Sequence, residues 1–423
     1  MAFSHQEGEL LRFSTAGSVD DGKSTLIGRL LYDTKSALDD QLDHIEVVSR
    51  RRGDERVNLA LLTDGLRAER EQGITIDVAY HYFATERRKF IIADTPGHVQ
   101  YTPNMVTGAS TAALAVVLVD ARCGIVEQTR RHVYLASLLR IPHLILAVNK
   151  MDLIDWDEQW FRRIDLEFRE FSARLGLMDV TIIPVSALTG ENVVARTKEM
   201  PWYGGPTLLH HLETIHIATD RTSFAARFPV QYVIRPQSPN HPDYRGYAGQ
   251  IASGVLTTGD EIVVLPSGIR TRITSIEQGG RPLDQALAAM SVTIHVADDC
   301  DIGRGDVLCH PTNEPCIGQE LDAMVCWMAE HPLKTRDRYL IKQTTRTTRA
   351  FVTEIVYRLD VNTNHRETDW ELGMNALGRI RLRTTTPIIY DAYSQNRAMG
   401  SFILIDEHTN QTVAAGMLHV DDK

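Results

Sequence analysis

The sequence predicts an α/β domain on a mostly parallel sheet, carrying a phosphate-binding loop and followed by two small all-β barrels. Three observations carry that prediction. Residues Gly17–Ser24 read GSVDDGKS, a full match to G-x-x-x-x-G-K-[ST], placed between the apolar stretch Leu10–Ala16 and the helically spaced Thr25–Leu31. Residues 9 to about 215 alternate strand-like apolar runs with helical segments, the pattern of a sheet with helices on both faces. After about Arg221, short β-branched runs alternate with turn signals, as in small barrels.

In chain order, the strand-like runs of the first region are Leu10–Ala16, Val78–Ala84, Phe90–Ala93, Leu114–Val119, His143–Val148 and Thr181–Val185. Helical spacing is found in Gln128–Arg140, Trp156–Leu175 and Pro206–Ile217. Lys35–Arg70 is rich in Asp, Arg and Leu and is expected to form helices of a switch region, with Arg50-Arg51-Arg52 a solvated charge run. The first barrel is expected to use Pro229–Ile234, Gly249–Leu256, Glu261–Leu265 and Ile269–Ile276, closing near Asp306–Leu308. Pro311–Pro315 reads as a linker, and a second β-rich stretch runs from Gln319 to Leu418. The expected domains are therefore 1–220, 221–312 and 313–423.

The glycines of the phosphate loop let Gly17, Ser18, Val19, Asp20, Asp21, Gly22, Lys23, Ser24 and Thr25 curl so that backbone N–H groups converge on a triphosphate, helped by the positive end of the next helix. Lys23 reaches the β- and γ-phosphates, and the Ser24 hydroxyl is placed to ligate Mg²⁺. Asp94-Thr95-Pro96-Gly97-His98 follows an apolar strand. Asp94 is expected to hold Mg²⁺ through water, and Gly97 to offer its N–H to the γ-phosphate.

Asn149-Lys150-Met151-Asp152 matches the guanine-recognition pattern N-K-x-D. An Asp carboxylate accepts from both N1–H and the exocyclic amine of guanine, whereas adenine would leave it unpaired. Asn149 is expected at the far edge of the base, the Lys150 stem over its face, and a backbone N–H of Ser186-Ala187-Leu188 at O6. In Glu71–Asp77, Thr75 is the expected second hydroxyl ligand of Mg²⁺, ordered while the γ-phosphate is present. His98 stands where the residue that orients the attacking water belongs, and apolar Val19 and Ile74 could gate that water's entry. No residue reads as an intrinsic arginine finger, so slow unassisted hydrolysis is expected.

Composition narrows the possibilities. A net charge of −10 argues mildly against a broad nucleic-acid surface, and no apolar stretch approaches the ~20 residues of a membrane span. Five cysteines without a C-x-x-C pair are expected to be reduced thiols in a cytoplasmic protein. The opening MAFSHQEGELL lacks the basic and apolar regions of a signal peptide.

The nucleotide motifs resemble those of translation-factor GTPases, as do the DTPGH histidine and the REQGIT switch, Arg70–Thr75. More specifically, the chain resembles the GTPase subunit of bacterial sulfate adenylyltransferase. The resemblance is carried by Gly17–Thr34, Asp94–Ser110, Gln128–His132, Ala147–Leu153, Arg245–Ile262 and Asp391–Asp406, and so covers essentially the whole chain. Elongation factors that deliver aminoacyl-tRNA are similar in the switches but typically carry His at the positions of Ser18 and Asp21. The resemblance implies an elongation-factor-like architecture and a heterodimer with a smaller catalytic subunit. That subunit adenylates sulfate with ATP, and GTP hydrolysis drives this uphill step. The alternatives are a translational GTPase carrying charged tRNA, and a scaffold in which GTP only orders a binding surface. Some relatives add an adenylyl-sulfate kinase, and no second phosphate loop occurs in these 423 residues.

Overall fold

Seven consecutive buried residues, Leu114–Asp120, form the strand at the centre of the first sheet, which explains why that run carries almost no polar side chain. The computed structural model describes residues 10–18, 20–52, 57–63, 77–97, 101–177, 179–217, 224–236, 244–360, 365–368 and 370–420. The chain divides into two compact units, Met1–Ile217 and Ala218–Lys423.

In the first unit the described order is β1 (Leu10–Ala16), α1 (Lys23–Asp33), α2 (Asp39–Arg52), β2 (Ala79–Ala84), β3 (Lys89–Asp94), α3 (Thr102–Ala109), β4 (Leu114–Asp120) and α4 (Glu127–Leu138). Then come β5 (His143–Asn149), α5 (Glu158–Arg174), β6 (Val180–Pro184) and α6 (Leu208–Thr214). The sheet order is β2-β3-β1-β4-β5-β6. Among the described strands, β2 alone runs antiparallel to its neighbour, and the remaining pairs are parallel. Parallel strands carry their C-terminal loops to one sheet edge, so the segments after β1, β3, β5 and β6 meet there. Leu26, Ile27 and Leu30 of α1 pack with Leu11, Phe13 and Leu118 in the core that fixes the phosphate loop on this edge.

Among the described residues of the region read as switch helices, α2 and a 3₁₀ turn, Leu59–Leu62, are seen, while residues 53–56 and 64–70 lie outside the described set. Arg50 is exposed and pairs with Glu46 one helical turn away.

The second unit holds two closed sheets. In the first, β7 (Phe228–Ile234), β8 (Gly246–Gln250), β10 (Glu261–Leu265), β11 (Ile269–Gln278), β14 (Ser291–Val296) and β15 (Val307–Cys309) follow the order β10-β15-β7-β8-β14-β11, and β10 pairs with β11 to close it. β12 (Arg281–Leu283) extends β11, while β9 (Val255–Thr257) and β13 (Gln285–Leu287) pair separately. The run Gly249–Leu256 is therefore not one strand. Its chain leaves β8 after Gln250 and turns at Gly254, whose φ of 73° suits glycine, before entering β9.

In the second closed sheet, β16 (Cys316–Trp327) is followed by the short β17 (Leu333–Lys334), then by β18 (Arg338–Gln343) and β19 (Arg346–Asp360). β20 (His365–Glu367), β21 (Glu371–Leu372), β22 (Leu377–Tyr390), α7 (Arg397–Gly400), β23 (Ser401–Ile405) and β24 (Thr412–His419) complete the chain. The order is β18-β23-β24-β16-β22-β19, closed by β18 with β19, and β20 extends β19. Closure removes free edges, and the alternating burial of β11 and β22 sends one face of each inward.

An apolar seam of Val263, Leu265, Val307 and Cys309 meets Ile389 and Met399 between these two barrels. Beside it the Arg227 guanidinium bonds Asp391 in fork geometry, at 3.0 and 2.9 Å, with only 3% and 12% of the two side chains exposed. Arg227 Nη1 also donates to the Asn313 carbonyl, so the stretch read as a linker is anchored by a buried cation.

Candidate functional site

The phosphate loop owes its shape to two local contacts and one glycine. Ser18 N–H donates to Asp21 Oδ2 at 2.6 Å, Asp21 N–H donates to the Ser18 carbonyl at 3.2 Å, and Gly22 enters α1 in the left-handed region at φ 88°. A Cβ at Gly22 would overlap the Asn149 amide. The buried Asp21 carboxyl is raised to about 6, chiefly by loss of hydration, against the lowering effect of N–H groups from Ser18 and Asp120. Ser24 and Thr25, in the first turn of α1, are half-buried. The Ser18 hydroxyl is buried without a partner.

Lys23 is buried, and its ammonium donates to the Thr95 carbonyl at 2.5 Å and stands 3.6 Å from Asp94 Oδ1. Asp94 in turn accepts from the Thr15 hydroxyl at 3.2 Å. β1 and β3 are neighbours, with Thr15 directly opposite Asp94, which brings the two motifs together. Gly97 approaches so closely that a Cβ there would overlap the Gly17 carbonyl, so only glycine fits. Val19, Ile74, Thr75 and His98 lie outside the described residues.

At the base end, Asn149 Nδ2 donates to the Asp21 carbonyl at 2.7 Å, and Oδ1 accepts the Ala187 N–H at 2.9 Å. One Nδ2 hydrogen remains for a base edge. Lys150 Nζ donates to the Asp20 carbonyl and to Asp120 Oδ2, the latter at 2.9 Å, and this lays its stem across the space beside the phosphate loop. Asp152 sits in the 3₁₀ turn Met151–Ile154 with Oδ1 buried and unpartnered. Ser186 N–H donates to the Glu191 carbonyl, while Leu188 is half exposed.

Two contributors escaped the motif reading. Arg29 of α1 donates to the Ala187 and Leu188 carbonyls at 3.2 and 2.6 Å and so holds the base loop from behind. Asp120 anchors Lys150, and despite burial, which raises it, hydrogen bonds from Arg122 and Lys150 hold its carboxyl well below the ordinary range. Its position was a usable signal: Asp120 ends β4 as Asp94 ends β3 and Asn149 ends β5.

A phosphate loop at a strand's carboxyl end, joined by side chains to a base-binding loop, defines a guanine-nucleotide-binding domain of the P-loop class. The family model for the elongation factor Tu GTP binding domain matches residues 8–221, and the model for the GTP-eEF1A C-terminal domain-like family matches residues 320–419. The bifunctional enzyme CysN/CysC of Mycobacterium tuberculosis is 60% identical over 97% of this chain and 67% of its own length. Sulfate adenylyltransferase subunit 1 of Bacteroides fragilis is 51% identical over 98% of this chain and 86% of its own, and that of Bacteroides thetaiotaomicron 50% over 98% and 87%. The chain belongs to the sulfate adenylyltransferase subunit 1 family, within the translational GTPase superfamily. No helix among the described residues is long and apolar enough to cross a membrane.

Proposed function

We propose that this chain is the GTP-hydrolysing subunit of a cytoplasmic sulfate adenylyltransferase. It works with a smaller catalytic subunit that converts ATP and sulfate to adenylyl sulfate and diphosphate. The observation that carries the guanine assignment is the buried, unpartnered Asp152 Oδ1 beside a base loop already shaped by Asn149 and Lys150. An orphaned carboxylate oxygen there is costly until two N–H donors of guanine meet it. Family membership supplies the sulfate reaction.

Lys23 holds a protein carbonyl in the position where it would exchange that partner for β- and γ-phosphate oxygens. The donors available for a metal, hydroxyls and carboxylate, are hard oxygen ligands that suit Mg²⁺. Ser24, Thr75 and, through water, Asp94 would hold it, and bound there it neutralises charge on the phosphates. Gly97 offers its N–H to the γ-phosphate. His98 orients the water whose oxygen bonds the γ-phosphorus as the bond to the β–γ bridging oxygen breaks, and Val19 and Ile74 gate that water. The partner couples this cleavage to formation of the phosphate–sulfate anhydride.

The test measures adenylyl sulfate formed and GTP consumed in one tube, with the catalytic subunit, ATP and sulfate, for wild type and His98→Ala. The mutant is expected to retain GTP affinity and lose stimulated hydrolysis by orders of magnitude, because the contact matters in the transition state. Its GTP-driven product should vanish while a small GTP-independent yield persists. Product that still rises with GTP in the absence of hydrolysis would show that binding supplies the drive. Product made by this chain alone would overturn the division of labour.

A further inference from the structure

Arg29 stands on α1, past the phosphate-loop motif, with 18% of its side chain exposed. Its planar guanidinium forks onto two successive carbonyls of the base loop: Nε donates to Ala187 at 3.2 Å and Nη2 to Leu188 at 2.6 Å. Nη1 lies 3.5 Å from Asp33 Oδ1, one helical turn further along α1, so the fork is held on its remaining side as well.

The N–H groups of that loop are nearly all committed. Ser186 donates to the Glu191 carbonyl at 3.1 Å, and Ala187 to Asn149 Oδ1 at 2.9 Å. Thr189 donates to the Ser186 hydroxyl at 3.3 Å, and Gly190 to the Ser186 carbonyl at 2.8 Å. Leu188 N–H is the donor left over, with no hydrogen-bond partner among the described residues. The Ala187–Leu188 peptide is trans, so its carbonyl and its N–H point in opposite directions. With the carbonyl tied to Arg29, the N–H is turned away from α1.

We infer that Arg29 is a positioning residue for the guanine base: by holding the Ala187 and Leu188 carbonyls it aims the Leu188 N–H at O6. Arg29 touches no part of the nucleotide in this arrangement. It also fastens the base loop to the helix that begins with Lys23, so base and phosphates are met by one connected body. A lysine ammonium is a point charge and cannot span both carbonyls in fork geometry. The inference rests on the guanine-nucleotide reading of the site.

The test compares wild type, Arg29→Ala and Arg29→Lys for melting temperature and for affinity to GDP and to 6-thioguanosine diphosphate. The thio compound keeps both N–H donors for Asp152 but presents sulfur, a weak acceptor, in place of O6. Arg29→Ala is expected to weaken GDP about tenfold, the scale of one hydrogen bond, and the thio compound by no more than about twofold. Arg29→Lys, which keeps the charge and can reach one carbonyl, should lose less for GDP and nothing for the thio compound. Should alanine prevent folding, the lysine variant carries the same comparison, and its loss must again be confined to GDP. Equal weakening of both nucleotides alongside a lower melting temperature would reduce Arg29 to a packing residue and overturn the inference. So would two unchanged affinities. Wild-type protein that bound neither nucleotide would instead refute the site reading from which the inference starts, a result distinct from both.

Discussion

Asn149 donates its side-chain amide to the main-chain carbonyl of Asp21 across 2.7 Å, joining the loop that meets the base to the loop that wraps the phosphates. The other end of the same amide accepts the Ala187 N–H, so one side chain positions three segments.

Replacing Asn149 by alanine is therefore expected to weaken GTP and GDP alike. Two hydrogen bonds of about 1 kcal/mol each are lost, predicting a fall of roughly thirtyfold for either nucleotide. Competition titration with a fluorescent nucleotide measures this directly. A loss confined to GTP would show that Asn149 senses the γ-phosphate instead.

Asp152→Asn should behave differently, because it changes which base is accepted. The carboxylate's paired acceptors become one acceptor and one misplaced donor, at a cost of roughly 2–4 kcal/mol in GTP binding. Xanthosine triphosphate, with an oxygen in place of the exocyclic amine, should gain relative affinity. Unchanged GTP affinity would sink the assignment of Asp152 to the base.

The Asp21 carboxyl supplies a pH-dependent prediction. Its folded pKa is raised from 3.8 to about 6, so the folded state holds this proton more tightly than the unfolded chain. The destabilising contribution is absent below the unfolded value, grows as pH rises towards 6, and is constant above it. Asp21→Asn retains an oxygen acceptor for the Ser18 N–H and removes that contribution. The nucleotide-free variant should thus exceed wild type in stability by about 2–3 kcal/mol at pH 7, and by little at pH 3.5. Urea unfolding at both pH values decides the matter, and a difference independent of pH would refute it.

In the barrel unit, Arg227→Ala leaves Asp391, whose side chain is 12% exposed, without its charge partner and should cost roughly 3–5 kcal/mol. Replacing both partners, as Arg227→Met with Asp391→Leu, removes the uncompensated charge and should recover much of that loss. Chemical denaturation followed by barrel tryptophan fluorescence, through the buried Trp327, reports the change. A double variant as unstable as the single would mean that the hydrogen bond to Asn313, not the charge pair, carries the seam.

Much of the site was legible because each motif is short and its chemistry local. Gly17–Ser24 shapes its own loop through contacts three residues apart, and Asn149–Asp152 lies on one strand end and the turn after it. Strand cores such as Leu114–Val119 were legible for the same reason, since a strand buried on both faces has to be apolar throughout. Boundaries were less so: Val78 falls just outside β2, and the Gly249–Leu256 run breaks at a turn that depends on a left-handed glycine.

Residue types in order were enough to name the phosphate loop, the base motif and the likeness to a GTPase that serves sulfate activation. Pairing distant residues required the fold. Asp21 meets Asn149 across 128 positions, Lys150 meets Asp120 across 30, and Arg227 meets Asp391 across 164. Chain order leaves open which strands are neighbours. Once β1 lies between β3 and β4, the carboxyl ends of parallel strands converge, and buried polar groups far apart in sequence must satisfy one another.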